Sequence, residues 1–176
     1  SIGVYDTLHG EPQGEVPWLI PPLKRFFPYS ADTVIVSGDE GFGTVQLGKG
    51  KARVVPIQLK GVQCVSPLSY ARYEKEALLL HLGFEDGSLV ICDAARSRPV
   101  FQLAQAASGA ISGFELVPNL SVGIAATTSG QLLFFDLHSG VLLEEFSAHR
   151  GKIQQLCVSA SGRYMATAAR GGHVRL

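Results

Sequence analysis

The chain has 176 residues, of which 46% are hydrophobic and 17% charged, with 15 lysines and arginines against 15 aspartates and glutamates. That length suits one domain, and that apolar content supports a packed core. A balanced charge gives no bulk attraction to nucleic acid or a membrane surface, and no apolar run approaches the ~18–20 residues needed to cross a bilayer as a helix. The three cysteines, Cys64, Cys92 and Cys157, are odd in number, far apart and set in apolar patterns. They read as buried free thiols in a reducing compartment, so the expected location is cytoplasmic, with nuclear or cytoskeletal association left open.

In chain order, residues 1–6 read as a strand carrying Ile2 and Val4, and 8–17 as a polar, turn-rich stretch. Residues 18–28 (WLIPPLKRFFP) contain three prolines, which belong at strand ends or edges; they carry an outer strand and the next inner strand in degraded form. Within them, Lys24-Arg25-Phe26-Phe27 reads as phenylalanines in the core and cations outside, with a basic-aromatic contact site as the alternative. Residues 33–37 form a β-branched strand, 39–43 its turn and 44–47 the next strand; 53–59 follow as an edge strand marked by Pro56. Residues 62–66 open a further unit, 70–76 (YARYEKE) read as a charged loop, and 78–82 as a buried strand. Glu85-Asp86-Gly87 is a tight turn, and 89–93 and 100–103 complete that unit. The next four strands are 111–117, 122–127, 132–136 and 141–146, with Asp136, Ser139 and Gly140 at a polar outer turn. Residues 148–176 then give three short apolar runs separated by a serine-glycine turn and a double-glycine turn.

These strands repeat. The third strand of each unit follows Gly43, Gly87, Gly130 and Gly172, at gaps of 44, 43 and 42 residues. Ile2 aligns with Val45, Leu89, Leu132 and Val174, and Val4 with Leu47, Ile91, Phe134 and Leu176. The units run approximately 1–43, 44–87, 88–130 and 131–172, with a further strand beginning at 173–176. A period of about 40–45 residues with four strands per unit is that of a propeller blade. The wording of the last unit, Ala148-His149, then SASGRYMATAARGGHVRL, resembles the WD40-repeat family. The resemblance implies an all-β, WD40-type β-propeller of which the chain holds about four four-stranded blade units. The low charged content and the register at both ends fit a piece of a larger ring, for which the resemblance implies seven blades.

The chain departs from the family pattern. The buried hydrogen-bonded tetrad that family blades use requires His, Ser or Thr, Asp and Trp. Here His149 is present, but Ala169 stands at the Ser position and Gly171 at the Asp position. Asp86 keeps a turn aspartate, and the Trp-Asp strand ends read Tyr5-Asp6, Leu47-Gly48, Cys92-Asp93 and Phe135-Asp136. The expectation is a divergent propeller held by core packing, with Cys92 and Phe135 as apolar plugs. No Gly-x-Ser-x-Gly elbow appears, His9, His81, His138, His149 and His173 lack zinc-ligand spacing, and GDEGFG (38–43) lacks the lysine of a phosphate loop. Neither enzymatic activity, a small-molecule substrate, a metal nor a cofactor is expected.

The register sorts loop charges onto two faces. One carries Lys49, Lys51, Arg53, Arg72, Lys75, Arg96, Arg98 and Arg163, a candidate basic interaction face. The other carries Asp39, Glu40, Lys60, Glu85, Asp86, Arg150, Lys152 and Arg170, acidic in the middle units and basic in the last. The family resemblance implies a non-catalytic scaffold that docks other proteins. A phosphoinositide-binding propeller of the autophagy-related type is the alternative, because ATAARGGHVRL resembles that family's corresponding strand. Docking to acidic partners such as tubulin tails or nucleic acid through the basic face is the third reading.

Overall fold

The structure is a computed structural model that describes residues 2–5, 12–16, 23–38, 41–46, 53–57, 66–104, 107–172 and 174–175. Along 2–5 and 12–16, and at 23, 41, 53, 54 and 56, the description is of the backbone. Every regular element among these residues is a strand. Strands β1 (Ile2–Tyr5) and β2 (Pro12–Val16) pair antiparallel in a two-stranded sheet. Strands β3 (Leu23–Ser30), β4 (Thr33–Gly38), β5 (Gly41–Gln46) and β6 (Arg53–Pro56) form a four-stranded meander in that order. A second meander contains β7 (Leu68–Glu74), β8 (Leu79–Phe84), β9 (Leu89–Asp93) and β10 (Arg98–Leu103). The third holds β11 (Ile111–Leu116), β12 (Val122–Thr127), β13 (Gln131–Asp136) and β14 (Leu142–Ser147). The last sheet has β15 (Ile153–Val158), β16 (Met165–Ala169) and β17 (Val174–Arg175).

Alternation of side chains along a strand explains why these sheets stack. On β8, Leu80, Leu82 and Phe84 join Ile35, Phe42, Leu68 and Cys92 in one core, between the first and second meanders. From β9, Leu89 and Ile91 point the other way and join Ile111, Phe114, Ala125, Leu133 and Phe135, between the second and third. Ile124, Ala126 and Leu132 meet Ala148 and Ile153 in a third core, against the last sheet. Middle strands are therefore buried on both faces and read as unbroken apolar runs. Close approaches between sheets run from first strand to first or second strand: β3 to β7, β7 and β8 to β11, and β11 to β15. The sheets converge along their first strands, as in a fan of blades, an arrangement consistent with a β-propeller.

Several hydrogen bonds between sheets repeat the sequence period. Arg25 donates to the Leu68 carbonyl, Ser69 to Ile111 and Tyr70 to Phe114, at separations of 43, 42 and 44 residues. The turn after the second strand is fixed in the same way. The Gly130 carbonyl accepts from the amides of Ala148 (2.9 Å) and His149 (3.0 Å) on the connection to the next sheet. Gly130 has φ +91°, and a Cβ there would overlap the His149 carbonyl oxygen and lie 2.8 Å from that of Gly151. Gly87 (φ +83°) sits in the same way beneath the Ala107 carbonyl.

The structure corrects several expectations. Residues 68–74 are strand β7, with part of the expected charged loop inside it. Its polar side chains are spent across the interface: Tyr70 on a carbonyl of β11 and Arg72 on Glu115. Pro12–Val16, expected as part of a polar turn, is a strand paired with β1. Lys24 and Phe26 are exposed while Arg25 and Phe27 are half-buried, because alternation along β3 sorts by position rather than by polarity. Gly43 lies within β5 opposite Val36, whereas Gly87, Gly130 and Gly172 are turn residues with positive φ. Cys157 is exposed, on the outward side of β15, while Cys92 is buried; Cys64 lies outside the described residues. Cys92 and Phe135 are each 1% exposed, so both plug positions are filled.

Candidate interaction surfaces

Antiparallel meanders put turns at two ends. One end carries the turns between first and second and between third and fourth strands. The aspartates that close the third strands are consumed there. The Asp93 Oδ1 accepts from the amides of Ala95 and Arg96, and the Asp136 Oδ1 from those of His138 and Ser139 and from the Ser139 hydroxyl. These bonds hold both carboxyls below the usual carboxylate range, backbone amides being the largest cause. Gly140 (φ +72°) closes one turn and Ser97 (φ +50°) takes the same left-handed conformation in the other.

The expected basic face lies partly on this end. Arg96 is bound to Asp93 at 2.7 Å. Arg72 projects from β7 onto Glu115, which neutralises it. Lys75, Arg98 and Arg163 are exposed at this end, with Glu76 beside Lys75. Lys49 and Lys51 lie outside the described residues, as does the Arg53 side chain. The same end presents large apolar residues that the sequence reading missed. Leu78 and Tyr164, each directly preceding a second strand, are 49% and 72% exposed, and Leu120 in the equivalent turn between them is 63% exposed. Leu78 does this at φ +54°, a conformation that bulky side chains rarely adopt. The 42–44-residue period was the signal that could have aligned these three.

At the other end, Glu85 is bound to Arg25 at 3.1 Å and Asp86 accepts the Ser88 amide at 2.9 Å; Asp39, Glu40 and Lys60 lie outside the described residues. Arg150, Lys152 and Arg170 converge with Arg175 on a groove of about 860 Å³, which His149, Gly151, Ala169 and Val174 complete. Among the described residues, no carboxylate lines it. Among the described residues, none of these four cations has an ion-pair partner, whereas Arg25, Arg72 and Arg96 all do. The groove floor is held by a buried bond between His149 Nε2 and Thr167 Oγ1 at 2.9 Å. The tetrad was expected to be broken here; a histidine–hydroxyl pair is nevertheless present. Its hydroxyl comes from Thr167, two positions before Ala169; both face the same side of β16, and only Thr167 lies within reach of the imidazole.

A third polar cluster is internal. His81, 2% exposed, stands edge-on to the Phe114 ring at 5.3 Å and has Glu74 Oε2 at 3.6 Å from its Nε2. Burial first, and then the neighbouring Arg72 charge, lower its pKa to about 4, so at neutral pH the imidazole is uncharged and the Glu74 contact is not an ion pair. Burial raises the Tyr70 hydroxyl to about 12, which keeps it a donor to the Phe114 carbonyl. Among the described residues, no three His, Cys, Asp or Glu side chains gather as a metal site, and no helix is long and apolar enough to cross a membrane.

No family model and no curated protein matches the chain. Solved structures do. The chain is similar to the computationally designed Ika4 protein, with a TM-score of 0.65 and 14% identity over 94% of this chain and 96% of that one. It is also similar to a chain of the Mitotic Checkpoint Complex, with a TM-score of 0.58 and 12% identity over 87% of this chain. It spans 52% of that second chain, about half its length. At such identities the likeness is one of fold, an all-β stack of repeated, blade-like sheets.

Proposed function

We propose that the chain is a non-catalytic protein-interaction scaffold, a segment of a WD40-type propeller that docks other proteins on its turn faces. The observation that carries this reading is the row of Leu78, Leu120 and Tyr164, exposed on equivalent turns of three successive sheets. Apolar side chains repeated on one rigid face, with a leucine kept at an unfavourable φ, suit a contact surface better than a solvated one. The fold agrees: middle strands buried on both faces leave the turns and outer strands free to vary. The similarity to a chain of a multi-protein complex fits the same role.

The test is capture of a protein partner with the chain as bait, followed by titration of the purified partner by calorimetry. Leu78→Ser, Leu120→Ser and Tyr164→Ser together are expected to weaken that binary complex by about tenfold or more. A partner that binds equally well to the triple variant and to variants of the opposite turn face would overturn the reading.

A further inference from the structure

We propose that the outer edge of β14 takes an additional strand, an extended partner segment in which lysine or arginine alternates with aliphatic residues. The proposal adds a contact on the rim of the blade-like sheets and does not depend on the turn faces. Strands β2, β6, β10 and β14 each lie at the edge of a sheet as its last strand in chain order. Three of them contain a proline: Pro12, Pro56 and Pro99. Proline has no N–H, and on an edge strand it hinders the pairing of a further strand. Strand β14 (Leu142–Ser147) has none. Pro99 lies opposite Cys92, and Leu142 lies opposite the equivalent residue, Phe135, so Leu142 keeps an N–H where β10 lacks one. The Asp136 amide donates to the Val141 carbonyl, and the Ala148 amide to the Gly130 carbonyl. Bonded and non-bonded pairs alternate along an antiparallel ladder, so Leu142, Glu145 and Ser147 fall in non-bonded pairs with Phe135, Leu133 and Gln131. Their N–H and C=O groups turn away from β13 to the outer edge, where no described strand meets them.

The side chains along this edge choose the occupant. Leu143 holds the bulged place on β14 that Val100 holds on β10. Val100 is 59% exposed although its sheet has a meander on either side, and Leu143 is 55% exposed, so apolar exposure at this place belongs to the rim of the sheets. Glu145 accepts a hydrogen bond from the Gln131 side-chain amide, whose oxygen accepts from the Ser108 and Ser129 hydroxyls. This network fixes the carboxylate beside the edge and, being built of neutral donors, leaves its charge in place. Glu144 precedes it in the same strand. A second copy of β14, paired antiparallel along the full length of the first, sets Glu144 and Glu145 against the same two residues, and like charges directly opposite are destabilising. A strand that carries cations and aliphatic residues meets Glu145 with the opposite charge and Leu143 with an apolar contact, while the main-chain bonds hold it in register. The glutamates thus reject self-pairing and admit a basic strand.

The probe is a fluorescein-labelled peptide of alternating lysine and valine, followed by anisotropy at low salt. Its control is the same peptide N-methylated at alternate residues, which keeps the charge and the apolar side chains but cannot complete a ladder. The chain is expected to bind the first and not the second, and binding is expected to slow amide hydrogen exchange at Glu145 and Ser147. Leu142→Pro, which copies the proline of β10, is expected to weaken binding about tenfold. Should that variant melt early, Glu144→Lys with Glu145→Lys gives a second comparison. It should weaken binding of the lysine peptide by about tenfold or more and bind the glutamate–valine counterpart instead. Equal binding of the N-methylated peptide, unchanged affinity in both variants, absence of binding at low salt, or a dimer of the chain that Leu142→Pro dissociates would each overturn the proposal. So would a loss of peptide binding in the Leu78, Leu120 and Tyr164 triple-serine variant as large as in Leu142→Pro; that variant should stay within about twofold. Docking of a captured partner on the turn face is read separately, so the rim site can fail while the scaffold reading stands.

Discussion

Gly130 and Gly172 occupy equivalent turns in successive sheets, and substituting each with alanine separates two energies. Both have positive φ, +91° and +79°, so alanine at either costs about 1 kcal/mol in backbone strain. At Gly172 that is the whole cost, since among the described residues nothing lies within 4 Å of the added methyl. At Gly130 the methyl overlaps the backbone of His149, and backbone cannot swing aside as a side chain can. Relief requires the connection before β15 to move outward. That movement strains the packing by about 1–3 kcal/mol and loosens the two bonds that the Gly130 carbonyl accepts, each worth about 1 kcal/mol. Gly130→Ala should therefore cost roughly 3–5 kcal/mol. For a chain of this size 1 kcal/mol moves the melting temperature by about 2–4 °C. Thermal melts by circular dichroism should show a drop of about 3 °C for Gly172→Ala and about 10 °C or more for Gly130→Ala. Equal drops would mean that the turns do not seat on the following connection, and the stacking described above would be wrong.

Other consequences are equally direct. His81 titrates near 6.5 when unfolded and near 4 when folded, so the unfolded chain takes up the proton first as pH falls; stability should be level above about 6.5 and decline by ~3 kcal/mol down to pH 4. His81→Leu should flatten that limb in urea titrations, and parallel curves for the two proteins would refute the assignment. Thr167→Val removes the hydroxyl that meets His149 and should cost about 1 kcal/mol, read as a lower urea midpoint at unchanged slope. A double-mutant cycle on Arg72 and Glu115 should give a coupling of only about 0.5–1 kcal/mol, because Arg72 is half-exposed and salt screens it. Leu78→Gly should raise stability by about 0.5–1 kcal/mol by relieving its positive φ, while weakening partner docking; a fall in stability would show the leucine to be packed.

The period of the chain was legible because packing enforces it. Each blade-like sheet must bury both faces against neighbours of the same shape, so apolar positions, turn glycines and even inter-sheet bonds recur at 42–44 residues. What a strand's polar residues reach for was not legible. Arg72 and Tyr70 made β7 look like a loop, because their partners stand on another sheet. The tetrad hydroxyl was placed two residues late because Thr167 and Ala169 share a face of β16, and spacing alone cannot choose between them. Of the groove's cations, Arg150, Lys152 and Arg170 were assigned to one face by register, and Arg175 was not. That they are unpaired, while Arg25 and Arg72 are not, follows from neighbours 60 and 43 residues away in sequence.

The groove also shows where such a repeat is free to acquire a specific role. The turn after each second strand sits at the same place in successive sheets. The amides of Glu85, Thr128 and Arg170 all bond the carbonyl of a residue that leads into the first strand: Pro67, Ala110 and Lys152. Backbone bonding fixes that geometry and leaves the side chains unspecified. The second meander therefore carries Glu85 and Asp86 there, the third Thr128 and Ser129, and the last sheet Arg170 opposite Arg150 and Lys152. One scaffold thus presents three different charges at equivalent sites, with no change in the cores beneath. The charge differences between the sheets reside in residues that packing does not constrain, which is why composition, averaged to zero net charge, conceals them.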